Sequence, residues 1–247
     1  MNDAIENSTS LGTLVAERPR RIKLFEHLRL DYCCGGSRSL EEACRRRGLD
    51  PDTVRELIEA TEQDELVDVD PAEERDWRQA SVGELCDHIV SAHHERLREE
   101  MPRIAELAAT VVRVHGEGRP ELELTERAFA ALRSELEPHL AEEERSLFPA
   151  CRGLEREGAG PGGFKLAAIE RHRSEHAEVG SRLAALRELA GGYGDAQALC
   201  STHSALLAAL RDFEADLHRH VHEENNLLFP RVCELAAGAP TTAAGLA

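Results

Sequence analysis

Aromatic residues make up only 4% of the 247-residue chain, with one Trp and two Tyr. A β-sandwich or barrel leans on aromatic and β-branched side chains, so all-β folds are disfavoured. Positive charge is scarce as well. Lys and Arg number 30 against 47 Asp and Glu, a formal charge of −17. That balance argues against a nucleic-acid partner or a basic membrane-surface binder. Long apolar runs are missing, and the stretch Ala205–Leu210 is too short to cross a bilayer. Met1–Glu6 carries acidic residues where a signal peptide needs a basic flank and an apolar core. The seven cysteines, at 33, 34, 44, 86, 151, 200 and 233, form no CxxC pair and no short secreted framework. Reduced thiols and a cytoplasmic location are the expectation.

What is abundant is Leu, Ala, Glu and Arg, which favours helices. An acidic, proline-bearing break falls at Val67-Asp68-Val69-Asp70-Pro71. Upstream, short amphipathic helices are predicted over Ile22–Leu30, Ser39–Arg47 and Asp52–Ala60, around Asp31-Tyr32-Cys33-Cys34-Gly35-Gly36. Downstream, turns are marked by Gly116–Pro120, Gly158–Gly163 and Gly191–Asp195. Three turns leave four long segments, each with a 3–4 apolar repeat. The predicted fold is all-α, with a small N-terminal helical domain over 1–66 and an up-down-up-down four-helix bundle over 76–236. A tail over 237–247 is expected to be disordered.

An internal repeat supports the bundle. His139-Leu-Ala-Glu-Glu143-Glu-Arg-Ser-Leu-Phe148-Pro149 aligns with His220-Val-His-Glu-Glu224-Asn-Asn-Leu-Leu-Phe229-Pro230, identical at six of eleven positions. The second and fourth helices are thus equivalent halves of two hairpins.

Helical periodicity sorts the twelve histidines. The inward stripe of the second helix reads Phe129, Leu132, Leu136, His139, Glu143, Ser146, Ala150; that of the fourth reads Leu199, Leu206, Leu210, Phe213, Leu217, His220, Glu224, Leu227. The third offers Ile169, His172, His176, Val179, Leu183 and Leu186, and the first Val90, His94, Leu97, Met101 and Ile104. His218 and His222 fall off the stripe and are expected in solvent. His93 lies one step off, and the run Glu142–Glu144 reads as solvated apart from Glu143. Folding at the first two turns brings His94, His139, Glu143 and His176 to one level. The pair His176 and His220 is centred a few residues beyond the third turn, which calls for a longer loop.

Four imidazoles and two carboxylates at mid-bundle cost several kcal/mol per ionised group if unpaired. Two shared metal ions resolve this, each glutamate bridging and each ion taking two histidines. A nitrogen–oxygen set without thiolate suits iron or manganese better than structural zinc. A metal-free polar network is the alternative. Ferritin-type bundles use Glu-x-x-His turns, whereas the order here is His-x-x-x-Glu.

These residues carry a resemblance. His94, His139-x-x-x-Glu143, His176 and His220-x-x-x-Glu224, with Leu-Phe-Pro after each pair, resemble the hemerythrin-like superfamily. Asp31-Tyr32-Cys33-Cys34-Gly35-Gly36 followed by Leu40-Glu41-Glu42-Ala43 resembles the short N-terminal domain of the iron–sulfur cluster repair di-iron proteins. Asp76-Trp77, His88-Ile89-Val90 and Glu223-Glu224-Asn225-Asn226 fit the same family, so the resemblance spans Leu11 to Val232. It implies two non-haem iron ions in an oxo-bridged centre with Glu143 and Glu224 bridging. It also implies repair of iron–sulfur clusters damaged by nitric oxide or peroxide, as a stress response. Partners would be the damaged iron–sulfur proteins, with nitric oxide or oxygen as small ligands.

Two points stay open at this level. His172 sits one turn before His176, as in oxygen-binding hemerythrins, which also use a carboxylate where Asn225 stands here. It is either a fifth histidine ligand or an outer neighbour of the centre. Cys33 and Cys34 either expose a low-pKa thiolate near a helix start, for passing iron or nitrosyl groups, or simply pack in a tight turn. The functions that compete are iron donation to damaged clusters, nitric oxide reduction to nitrous oxide, and an oxygen or nitric oxide sensor or carrier. Dinucleotide-fold motifs are absent, so an electron donor would be external.

Overall fold

The computed structural model describes residues 5–63, 76–158 and 166–238. The acidic break at Val67–Pro71, most of the turn after Gly158, and the tail beyond Gly238 lie outside the described residues. Among those described, one isolated bridge between Ser10 and Ser39 accompanies helices, turns and loops. The all-α expectation holds. In chain order the helices are α1 (Leu11–Glu17), α2 (Arg21–Leu28), α3 (Leu40–Arg47), α4 (Pro51–Gln63), α5 (Val82–Ile89) and α6 (Glu95–His115). They continue with α7 (Pro120–Glu142), α8 (Phe148–Glu157), α9 (Leu166–Leu189), α10 (Ser201–Glu223) and α11 (Phe229–Ala236).

By packing, the chain forms two compact units, one of residues 1–85 with 221–247 and one of 86–220. In the first, serine caps set the helix starts. Ser10 accepts the Thr13 amide at 3.1 Å and Ser39 accepts the Glu42 amide at 3.2 Å, each satisfying a donor the helix itself leaves over. Leu11 N–H donates to the Arg38 carbonyl at 2.9 Å and Gly12 N–H to the Gly36 carbonyl at 2.8 Å, tying α1 to the loop that carries Cys33 and Cys34. Leu14, Phe25, Tyr32, Leu40 and Ile58 are buried here, as are Phe229 and Val232 of the last helix.

The second unit holds α6, α7, α8, α9 and most of α10, with α6 packed on α7 and α7 on α9. Met101, Ile104, Leu132, Leu183 and Leu210 fill its interior, and Phe129 meets Phe213 edge-on at 5.5 Å. The offset between His176 and His220 is absorbed by two short 3₁₀ turns, Gly191–Tyr193 and Asp195–Gln197, before α10 begins at Ser201.

Three of the four long helical runs contain a π-turn that periodicity did not foresee. Val90–His94, Glu143–Leu147 and Glu224–Leu228 each close with an N–H reaching five residues back: Glu95 to Val90, Phe148 to Glu143, Phe229 to Glu224. One extra residue per turn rotates everything after it. Leu147 and Phe148 are therefore buried while Ser146 and Ala150 face solvent, and Leu228 and Phe229 displace Leu227 from the core. The helix α9 has no such turn, and its stripe is buried as read. A proline follows each Phe, and having no N–H to give, it loses little where the ladder opens.

Truncating Phe129 to Ala tests this core. The side chain is 1% exposed, so unfolding in denaturant should show a loss of about 3–5 kcal/mol.

Candidate metal centre

The helices carry their imidazoles to one level inside the 86–220 unit. His94 ends the first π-turn, His139 lies near the end of α7, Glu143 opens the second π-turn, and His176 and His220 lie on α9 and α10. All but His139 are almost wholly buried. The Nε2 atoms of His94 and His220 are 3.2 Å apart, and those of His139 and His176 are 3.3 Å apart. Between the pairs lies the Glu143 carboxylate. Its Oε1 is 3.0 Å from His139 Nε2 and 3.7 Å from His176 Nε2, while Oε2 is 3.5 Å from His94 Nε2 and 3.9 Å from His220 Nε2. Each oxygen thus serves one histidine pair. Glu224, fully buried, follows His220 by four residues and opens the third π-turn.

The donor set fits metal ions. Nitrogens about 3.2 Å apart suit two ligands sharing one ion at roughly 2.1 Å each. A buried carboxylate, that of Glu143, beside four imidazoles also needs positive charge to offset its desolvation.

Outer carboxylates orient the rings. His94 Nδ1 lies 2.7 Å from Glu144 Oε1, and Arg98 holds the same oxygen at 2.7 Å. Burial works against the Glu144 carboxylate, yet the hydrogen bonds from His94 and Arg98 keep its pKa below the usual range. His139 Nδ1 is 3.0 Å from Glu175 Oε2. A carboxylate on Nδ1 fixes the tautomer and leaves Nε2 to face the centre. These partners were missed in the sequence, where the run Glu142–Glu144 read as a solvated face. Glu144 and Glu175 each stand beside a ligand candidate in the chain, which is the only trace of their role there.

The other histidines divide. His172 is fully buried, places Nδ1 2.9 Å from the Ala168 carbonyl and Nε2 2.8 Å from Glu142, and stands outside both four-residue groups. His93 is also buried, because the π-turn brings two successive residues inward, and its Nδ1 meets Asp216 at 3.0 Å. His222, expected in solvent, is buried against Tyr32 with ring centroids 5.6 Å apart. That burial pushes its pKa down to about 4. His218 is half-buried beside Glu214.

In the other unit, Asp31, Cys33 and Cys34 bring their ligand atoms within 4.8 Å of one another. Asp31 Oδ1 accepts the Cys34 amide at 3.0 Å and lies 3.4 Å from Cys33 Sγ. Of the two thiols weighed in the sequence, that of Cys33 is buried. A hydrogen bond with Cys34, burial, and the charges of Cys34 and Asp31 push the Cys33 thiol well up. Cys34 is the more accessible of the two.

Residues 85–232 match the hemerythrin HHE cation-binding domain, and residues 7–62 match a domain of unknown function, DUF542. The chain belongs to the hemerythrin HHE family. Relatives of this hemerythrin-like protein include the iron–sulfur cluster repair protein YtfE of Pectobacterium atrosepticum, 35% identical over 222 residues, covering 90% of this chain and 95% of the relative. The YtfE of Yersinia pestis is 34% identical over 223 residues, with the same coverage. A hemerythrin-like domain implies non-haem iron, and the His/Glu cluster of this chain supplies the donors. No helix of the described residues is long and apolar enough to cross a membrane.

Removing the shared carboxylate and removing an outer one should differ in degree. Glu144→Ala is expected to weaken iron binding by about 10- to 100-fold, the usual cost of losing an orienting partner. Glu143→Ala should cost more, since both histidine pairs lose their common anion. Titration with ferrous iron under anaerobic conditions gives both values, and equal losses would remove Glu143 from its central place.

Proposed function

We propose that this chain is a di-iron protein that restores iron–sulfur clusters damaged by nitrosative or oxidative stress, by supplying iron to them. The observation that carries this reading is the split of the Glu143 carboxylate, one oxygen toward each histidine pair. It supports two ions held by His94, His139, Glu143, His176, His220 and Glu224, with His172 as an outer neighbour that pairs with Glu142. The names of the YtfE relatives support the repair reading. The cytoplasm, where damaged clusters and reduced thiols coexist, is the proposed location.

When bound, the iron pair supplies both the cargo to be handed on and a redox-active centre. The residues of the chain do the rest. His94 and His139 are held in one tautomer by Glu144 and Glu175, so Nε2 stays a donor to the centre. His94 with His220 and His139 with His176 would hold the ions and Glu143 and Glu224 would be shared between them, so that loss of one glutamate would weaken both sites. Phe148 stacks on the His94 ring at 5.6 Å and shields that side of it from water. Cys34, the accessible thiol, is the proposed acceptor of released iron, with Cys33 and Asp31 beside it.

The test is to mix iron-loaded protein with a nitric-oxide-damaged cluster enzyme and to follow enzyme recovery and nitrous oxide together. Recovery is expected with loss of iron from the protein. Joint replacement of Cys33 and Cys34 by Ser should leave iron content intact and abolish recovery. Nitrous oxide formed without recovery would assign the centre to nitric oxide reduction by an external electron donor instead. Iron lost outright from the Ser variant would show that the ligand set is wrong.

A further inference from the structure

The loop that carries Cys33 and Cys34 is held by the helical turn that begins with Glu224. Asn226 places Nδ2 3.0 Å from the Cys33 carbonyl and 3.2 Å from the Tyr32 carbonyl, and Asn225 Nδ2 reaches the Cys33 carbonyl at 3.4 Å. Two carbonyls facing one nitrogen identify it as the amide donor. On the other side, the Asn226 oxygen fills a slot walled by glycines. A Cβ on Gly12 would come within 2.5 Å of that oxygen, and a Cβ on Gly36 would also meet it, besides lying 2.6 Å from the Tyr32 carbonyl. The same Nδ2 also lies 3.2 Å from His222 Nδ1 and 3.3 Å from the His222 carbonyl on its own helix, so the side chain joins the helix, the loop carbonyls and the glycine slot.

Both asparagines lie inside the π-turn Glu224–Leu228. In a regular α-helix each residue turns the chain by about 100°, so returning this turn to α geometry would swing Asn226 out of its slot. The buried carboxylate and the loop therefore depend on the same irregular turn.

We infer that Asn226, aided by Asn225, is a positioning residue that makes the setting of the Cys33–Cys34 loop follow the state of Glu224. An ion on Glu224 fixes the π-turn and keeps the loop clamped. Withdrawal of the ion frees the turn, lets the asparagine donors leave the Tyr32 and Cys33 carbonyls, and opens the thiols. The chain would then present its thiols when iron departs. This inference rests on the reading of Glu224 as an iron ligand.

Thiol labelling reads the link directly. Full-length protein, either loaded with ferrous iron or stripped by a chelator, is treated with N-ethylmaleimide, and modification of Cys33 and Cys34 is timed by mass spectrometry. Loaded wild type should label about fivefold or more slowly than stripped protein, the scale of one or two lost hydrogen bonds. Asn226→Asp keeps the shape and loses the donor, and it should label fast in both states while retaining iron. Equal labelling of loaded and stripped wild type overturns the inference, as does a slow, iron-dependent rate retained in Asn226→Asp. Glu224→Ala that still binds iron at the wild-type level would instead remove the ligand reading on which the link rests.

Discussion

Two fully buried carboxylates are the constraint on which the other features of this protein rest. Glu143 and Glu224 are shielded from water in a helical core, where an ionised carboxylate is tolerated only with positive charge and directed donors around it. Four imidazoles supply the directed donors. A neutral imidazole does not supply charge, so the core is organised for cations. The pairing of His94 with His220 and of His139 with His176 around one split carboxylate follows from that requirement.

The π-turns are the backbone's share of the same arrangement. A regular α-helix aims one residue in three or four inward, which suits an apolar stripe and leaves little freedom for a ligand and its supports. Opening a turn at Glu143 and again at Glu224 changes the helical phase directly after each buried carboxylate. The side chains that follow can then meet different demands: Phe148 stacks on His94 at 5.6 Å, while Asn226 reaches the thiol loop. In the first π-turn the added residue buries His93 beside His94, and Asp216 holds it there.

How much of this was legible in the sequence follows from the same geometry. The α9 helix is regular, and all six of its stripe residues are buried as periodicity foretold. The inward placement of His139, Glu143, His220 and Glu224 was also readable, because each lies before or at the opening of an irregular turn, where the count from the preceding core residues still holds; His176 lies on the regular α9, and His94 is in phase with Leu97 and Met101 after it. Ser146 and Leu227 were misplaced because they lie past the openings. The repeated Leu-Phe-Pro was the mark of the phase change, since two neighbouring large apolar residues cannot both sit on one narrow α-helical stripe. His222 escaped for a different reason. The loop at Tyr32 covers it, and no local pattern reports a contact with a residue 190 positions away.

That separation bears on how the chain is made. The Tyr32–Cys33 carbonyls find their donors at Asn225 and Asn226, and Gly12 and Gly36 find the side chain that fills their slot, only when the last helix exists. Contacts of such long sequence range are slow to form and come late. During synthesis the first sixty residues leave the ribosome long before their packing partner, and domains otherwise tend to fold in order of emergence. The thiol loop of a growing chain thus waits, incompletely packed, until the segment bearing Glu224, Asn225 and Asn226 has been added. A chain cut short before that segment would display its two cysteines without the centre they accompany, and would be open to oxidation and to proteolysis.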